Sequence, residues 1–119
     1  FWCEWFNGRH LSIDYFKQKP ILSVEGFKDP DELMYWDAWR KVEDIIPFPS
    51  ILEHIPYDYI NCEFIDGKLI ECQLRQNPDF QFNNEEFITV WEEENIDPPE
   101  GWKYIEYPDL HGRIGAFIK

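Results

Sequence analysis

Glu63, Glu71, Gln73 and Arg75 are the residues whose types and spacing could do chemistry in this chain. They lie on two runs rich in β-branched, leucine and aromatic residues, 57–65 and 68–76, separated by Asp66-Gly67. Asp-Gly between two such runs predicts a tight β-hairpin, because both turn residues must accept positive φ. Strand alternation places Glu71, Gln73 and Arg75 on one face and Ile70, Cys72 and Leu74 on the other. A hairpin closed symmetrically on Asp66-Gly67 sets Glu63 opposite a residue between Lys68 and Glu71, so the two carboxylates converge within a residue or two of pairing. Carboxylates held together on rigid strands need a proton, a cation or an arginine between them. Mg²⁺ suits such a pair, since it takes one or two carboxylates and leaves its other positions to water and substrate phosphate. An exposed, wet sheet face with Arg75 as a solvated partner explains the same pattern without a ligand.

The elements that must position these residues follow from the chain in order. Runs 1–6 and 9–16 flank Asn7-Gly8, a second hairpin signal, and a third strand-like run covers 20–27. In 9–16, His10, Ser12 and Asp14 alternate with Leu11, Ile13 and Tyr15. Asp29, Pro30 and Glu32 read as a helix start. Leu33, Trp36, Trp39, Val42 and Ile46 then recur at helical spacing up to Pro47. Ser50 and Glu53 form a second capping-box pair, which opens a shorter helix or turn. Asn83-Asn84-Glu85-Glu86 opens a further predicted helix, with Phe87, Ile88 and Trp91 as its apolar stripe and an end near Asn95. Runs 102–107 and 113–118 make a last strand pair. The expectation is an α+β fold in one domain, 1–119: a mainly antiparallel sheet of short hairpins with two or three helices packed on one face.

Composition bounds the function. With 44% hydrophobic and 18% aromatic residues, the chain of 119 residues can bury a core. The net charge of −13 argues against a nucleic-acid surface, which needs Lys and Arg to displace counterions. No apolar run is long enough for a membrane span. The three cysteines, Cys3, Cys62 and Cys72, contain no CxxC and read as free thiols of a reducing, cytoplasmic compartment; a zinc set made of them with His10 is the alternative. Phe1 in place of Met, with no leader-like segment, leads us to expect a piece whose preceding part is missing.

Two separated stretches resemble the ATP-grasp superfamily. The run Glu4-Trp5-Phe6-Asn7-Gly8-Arg9-His10-Leu11-Ser12-Ile13-Asp14 is similar to that family's pattern of acid, aromatic, aliphatic, x, Gly, x, polar, x, Ser, hydrophobic, Asp. Further on, Asn61-Cys62-Glu63-Phe64 and Leu69-Ile70-Glu71-Cys72-Gln73-Leu74-Arg75 resemble its metal-binding hairpin, an acid followed after a turn by Glu-x-Asn-x-Arg. The resemblance covers roughly residues 1–80. It implies the C-terminal part of an ATP-grasp domain, in a ligase that uses MgATP to activate a small-molecule carboxylate as an acyl phosphate for attack by an amine-type nucleophile.

On that resemblance Glu63 and Glu71 are Mg²⁺ ligands, joined by Gln73 in place of the family's Asn or by Asn77 just beyond. Arg75 steadies the transferring phosphoryl group or the acyl phosphate. Residues Cys3, Glu4, Trp5 and Phe6 form the hinge that hydrogen-bonds adenine, and His10 contacts ribose or stands as an exposed strand histidine. The phosphate-holding lysines and glycine-rich loop of the family precede its hinge and are not found in this sequence, so the fragment alone is expected to be inactive. A different class of reading is a small acidic interaction module, of viral or mobile-element type, that occupies a partner's basic surface without catalysis. Open sheet edges would also permit self-association.

Overall fold

The computed structural model describes residues 6–29, 31, 36–92, 94–109 and 112–119. They form eight strands: β1 (His10–Phe16), β2 (Lys19–Phe27), β3 (Ala38–Lys41), β4 (Tyr59–Ile65), β5 (Lys68–Gln73), β6 (Glu86–Trp91), β7 (Lys103–Glu106) and β8 (Arg113–Ile118). Two 3₁₀ turns, Ser50–Leu52 and Pro78–Phe80, are the helical elements among the described residues. The expected α+β class is therefore corrected to an antiparallel β fold. The chain divides into two compact units, 1–26 with 41–78 and 27–40 with 79–119.

In the first unit the strands run in the order β5-β4-β1-β2. Lys17 (φ 47°) and Gln18 (φ 66°) turn β1 into β2. The Asp66-Gly67 turn forms as expected, with φ 50° and 74°, the left-handed pair that a two-residue hairpin requires. Its register sets Glu63 opposite Glu71 and Cys62 opposite Cys72, with a bulge after Glu63 that pairs Phe64 with Leu69. Ile70 is the extra residue of that bulge, and it is exposed. The expected strand at 1–6 lies outside the described residues except for Phe6, whose ring faces the Lys68 ammonium at 4.5 Å. Both edges of β1 are taken, by β2 and by β4.

Leu11, Ile13 and Tyr15 from β1 and Ile60, Cys62 and Phe64 from β4 form the apolar face of this sheet, joined by Leu52. The face is covered by an irregular segment rather than by a helix: Val42, Ile46, Phe48 and Ile55 pack on it. The Tyr15 hydroxyl donates to the Ile46 carbonyl at 2.7 Å, and the Tyr15 and Phe48 rings meet edge to face at 5.2 Å. Pro47, Pro49 and Pro56 lie in this covering segment, and each removes a backbone donor that a helix would need. Only the short Ser50–Leu52 turn forms there, with the Glu53 amide donating to the Ser50 carbonyl.

The second unit has the strand order β3-β6-β8-β7. Here the remaining predicted helices fail. Trp39 and Arg40 alternate inward and outward on β3, paired with Phe87 and Glu86 of β6. The spacing of Trp36, Trp39 and Val42 suited a helix, but ladder partners far along the chain decide the outcome. Asp29 does accept the Asp31 amide at 2.9 Å; Pro30 and residues 32–35 of that predicted helix lie outside the described residues. The predicted helix at 83–95 is instead a turn followed by β6. Asn83 takes φ 57°, the buried Asn84 amide donates to the Asp79 and Glu86 carbonyls, and the β-branched run Ile88-Thr89-Val90 enters the ladder with β8. The last strand pair, β7 with β8, forms as expected. No helix among the described residues is long and apolar enough to cross a membrane.

Gly8 ties the start of the first unit to its central turn. It takes φ 138°, and a Cβ placed there would lie 2.9 Å from the Asp66 Cβ, while the Asp66 amide donates to the Arg9 carbonyl. Gly8→Ala should lower stability by about 1–3 kcal/mol, through overpacking and backbone strain together. Urea unfolding of the variant beside Asn7→Ala, its exposed neighbour, measures this.

Candidate functional site

Strand β1 is buried on both faces, and its second face is polar. His10, Ser12 and Asp14 point there, only 5%, 2% and 2% exposed. In the β1–β4 ladder Ser12 stands opposite Glu63 and Asp14 opposite Asn61; in the β4–β5 ladder Glu63 stands opposite Glu71 and Asn61 opposite Gln73. Directly opposed antiparallel residues share a face, so seven polar side chains from three strands line one surface.

Their hydrogen bonds form two groups. The buried Asn61 amide donates to Ser12 Oγ and to Asp14 Oδ1, both at 2.8 Å. The Asn77 backbone amide donates to both Asp14 oxygens, at 2.9 and 3.0 Å. Nearer the Asp66-Gly67 turn, His10 Nε2 lies 2.8 Å from Glu63 Oε2, and Gln73 Nε2 donates to Glu71 Oε1 at 2.9 Å. Burial pushes the Asp14 carboxyl above the usual carboxylate range, while the Asn61 and Asn77 donors and the Arg75 charge oppose that shift. On the apolar side, burial raises the Cys62 thiol to about 12, with Cys72 and Asp14 adding to the effect.

Among the residues expected at a site, the structure brings together His10, Glu63, Glu71 and Gln73. Asn77 contributes its backbone amide to Asp14. Arg75 lies just beyond the end of β5, is exposed, and donates to the Gln76 carbonyl at 3.0 Å; the predicted alternation lapses there because the strand has ended. Cys3, Glu4 and Trp5 lie outside the described residues. Phe6 is half-buried and not in a strand. The zinc alternative is not assembled, because His10 and Cys62 face opposite sides of the sheet.

Two cations of this chain are engaged structurally. The Arg9 guanidinium, on the apolar side, grips Glu25 at 2.7–2.8 Å and Asp44 at 2.8 Å, which holds Asp44 below the usual carboxylate range. Arg113, in the second unit, sits 3.2 Å from Asp79 and 4.7 Å from the Tyr107 ring centre.

No protein-family model, curated protein or solved structure matches this chain. The site therefore has to be read from its chemistry. Among the described residues no group of three or more His, Cys, Asp or Glu side chains is arranged to hold a metal ion. A divalent ion here would rest on the Glu63–Glu71 pair, with Gln73 as the nearby amide. Its other ligands would come from water or a phosphate, a division that Mg²⁺ accepts.

Sequence reasoning did not place Asp14, Ser12 and Asn61 in the site. The signal was present: all three lie in the two quoted motifs, and alternation already set Ser12 and Asp14 beside His10. What was missing was the neighbour, since β4 joins β1 only through pairing distant in sequence.

Replacing Asp14 by Ala orphans the Asn77 amide and one bond of Asn61, so Asp14→Ala should cost about 1–3 kcal/mol. Asp14→Asn keeps an acceptor and should cost less. The wild-type carboxyl has a raised folded pKa, so its stabilising share is complete below its unfolded pKa and is lost as pH rises through the folded value. The stability of Asp14→Asn relative to wild type should accordingly improve as pH rises from about 4 to 7, as measured by thermal unfolding at each pH.

Proposed function

We propose that this chain carries the carboxylate side of a MgATP site in a ligase of ATP-grasp type, which activates a small-molecule carboxylate as an acyl phosphate for an amine-type nucleophile. The observation that carries the reading is the meeting of the two motifs. Stretches separated by about fifty residues become neighbouring strands, β1 and β4, and their polar residues share one face with Glu71 and Gln73. The helices that capping signals and apolar spacing predicted are not part of this support, since an antiparallel sheet with an irregular cover takes their place.

The roles follow from the residue chemistry. Glu63 and Glu71 hold Mg²⁺, which neutralises phosphate charge and lets an acidic face accept a polyanion. Gln73 offers an amide oxygen beside them. His10, buried beside Glu63, orients that carboxylate. Arg75, on the segment that leaves β5, supplies a cation at the developing charge. Asp14, Asn61 and Ser12 fix the strand geometry beneath the carboxylates.

A second reading has its own observation. Among the described strands β5 ends its sheet, and Ile70 and Leu74 on and beside it are 41% and 49% exposed. An open edge with apolar side chains, on a chain of net charge −13, suits strand addition by a basic partner segment or self-association.

Calorimetric titration with ATP, with and without Mg²⁺, separates the two readings. The ligase reading expects Mg²⁺-dependent binding that weakens at least tenfold, about 1.4 kcal/mol, in Glu71→Ala and in Glu63→Ala. Affinity unchanged in both variants, or indifferent to Mg²⁺, contradicts the site and leaves the open edge as the functional surface.

A further inference from the structure

We propose that Cys62 and Cys72 are a redox-modification site: on oxidation they join in a cross-strand disulfide that clips the edge strand β5 to β4. The two thiols are free in this structure, and the residues are direct partners in the β4–β5 ladder. Directly opposed antiparallel residues have Cα atoms about 4.5 or 5.5 Å apart, depending on whether the pair is hydrogen-bonded. Both spacings fall inside the roughly 4.4–6.8 Å window of a disulfide. The backbone spacing of the pair is therefore compatible with the bond.

Exposure fixes the order of events. Cys72 is exposed at the sheet edge, whereas Cys62 is fully buried among Ile13, Ile60 and Phe64. A small-molecule disulfide of the glutathione class meets Cys72 first. The Cys72 thiolate attacks one of its sulfurs, forms a mixed disulfide and releases the first small-molecule thiolate. The Cys62 thiol, which burial raises to about 12, gives up its proton as it attacks the Cys72 sulfur, breaks the mixed bond and releases the second, so this step is the slower of the two. The two cysteines are oxidised, the small disulfide is reduced to two thiols, and the two protons lost by the cysteines end on those thiols. Covered by the sheet, Cys62 resolves the adduct from within rather than meeting the oxidant itself.

The clip acts on a terminal strand of its sheet. Among the described residues β5 has one strand neighbour, carries a bulge and ends at Gln73. The bond would lie one residue from the Glu63–Glu71 pair and would fix that pair's register. It would also hold in place the strand beside which the apolar residues Ile70 and Leu74 face solvent.

Incubation of the whole chain with oxidised glutathione, alkylation and non-reducing peptide mapping tests this directly. The expected product is a peptide pair linked through Cys62 and Cys72, in a chain lighter by two hydrogen atoms. Amide exchange in β5 should be at least several-fold slower than in the dithiothreitol-treated sample. Cys62→Ser should stop at the Cys72–glutathione adduct. A persistent adduct in the wild-type chain, a link to Cys3, or dimers joined through Cys72 would each overturn the proposal.

Discussion

The burial of β1 on both faces is the constraint on which the first unit depends. A strand flanked by β2 and β4 has no free backbone edge, and both its side-chain faces must be satisfied. Leu11, Ile13 and Tyr15 satisfy one face with apolar contacts. The other carries Ser12 and Asp14, and a carboxyl with 2% exposure is costly unless donors surround it. Asn61 and the Asn77 amide supply those donors, one from the neighbouring strand and one from the chain beyond β5. Asp14 thus holds together segments that lie far apart in sequence.

Local signals were legible in the sequence and distant ones were not. Asp66-Gly67 announced its hairpin because the turn's demand for positive φ acts on two adjacent residues. The Glu63–Glu71 pairing was legible to within the register uncertainty, and the bulge at Ile70 resolved it. The helices failed for a physical reason common to both stretches. Trp36, Trp39, Phe87, Ile88 and Trp91 sit at spacings a helix can use, but they are also bulky residues suited to a pleated, half-buried surface. Nothing within either stretch shows that β3 and β6 will be partners. The three prolines of the covering segment were visible, yet only the fold shows that an irregular strap can do the work expected of a packed helix.

The candidate site divides in the same way. Glu63, Glu71 and Gln73 were found by residue type and alternation and His10 through the motif resemblance, whereas Asp14 and Asn61 matter through burial, which alternation alone does not reveal. Arg75 illustrates the opposite error, a period extended past the end of its strand. A fold does not by itself name a function, and the antiparallel sheet seen here removes the helices that capping and apolar spacing had predicted. The chemistry assigned to the face rests on its side chains: two opposed carboxylates, an adjacent histidine and amide, and a net charge that would repel phosphate unless a divalent cation intervened.

A double-mutant cycle between Asp14 and Asn61 tests most directly whether the two motifs share one polar face. Unfolding free energies of Asp14→Ala, Asn61→Ala and the double variant give the interaction energy of the pair. Coupling of about 1–3 kcal/mol is expected for a buried, hydrogen-bonded pair on neighbouring strands. Additivity within about 0.5 kcal/mol would contradict it, and with it the assembly of the motifs into a single site.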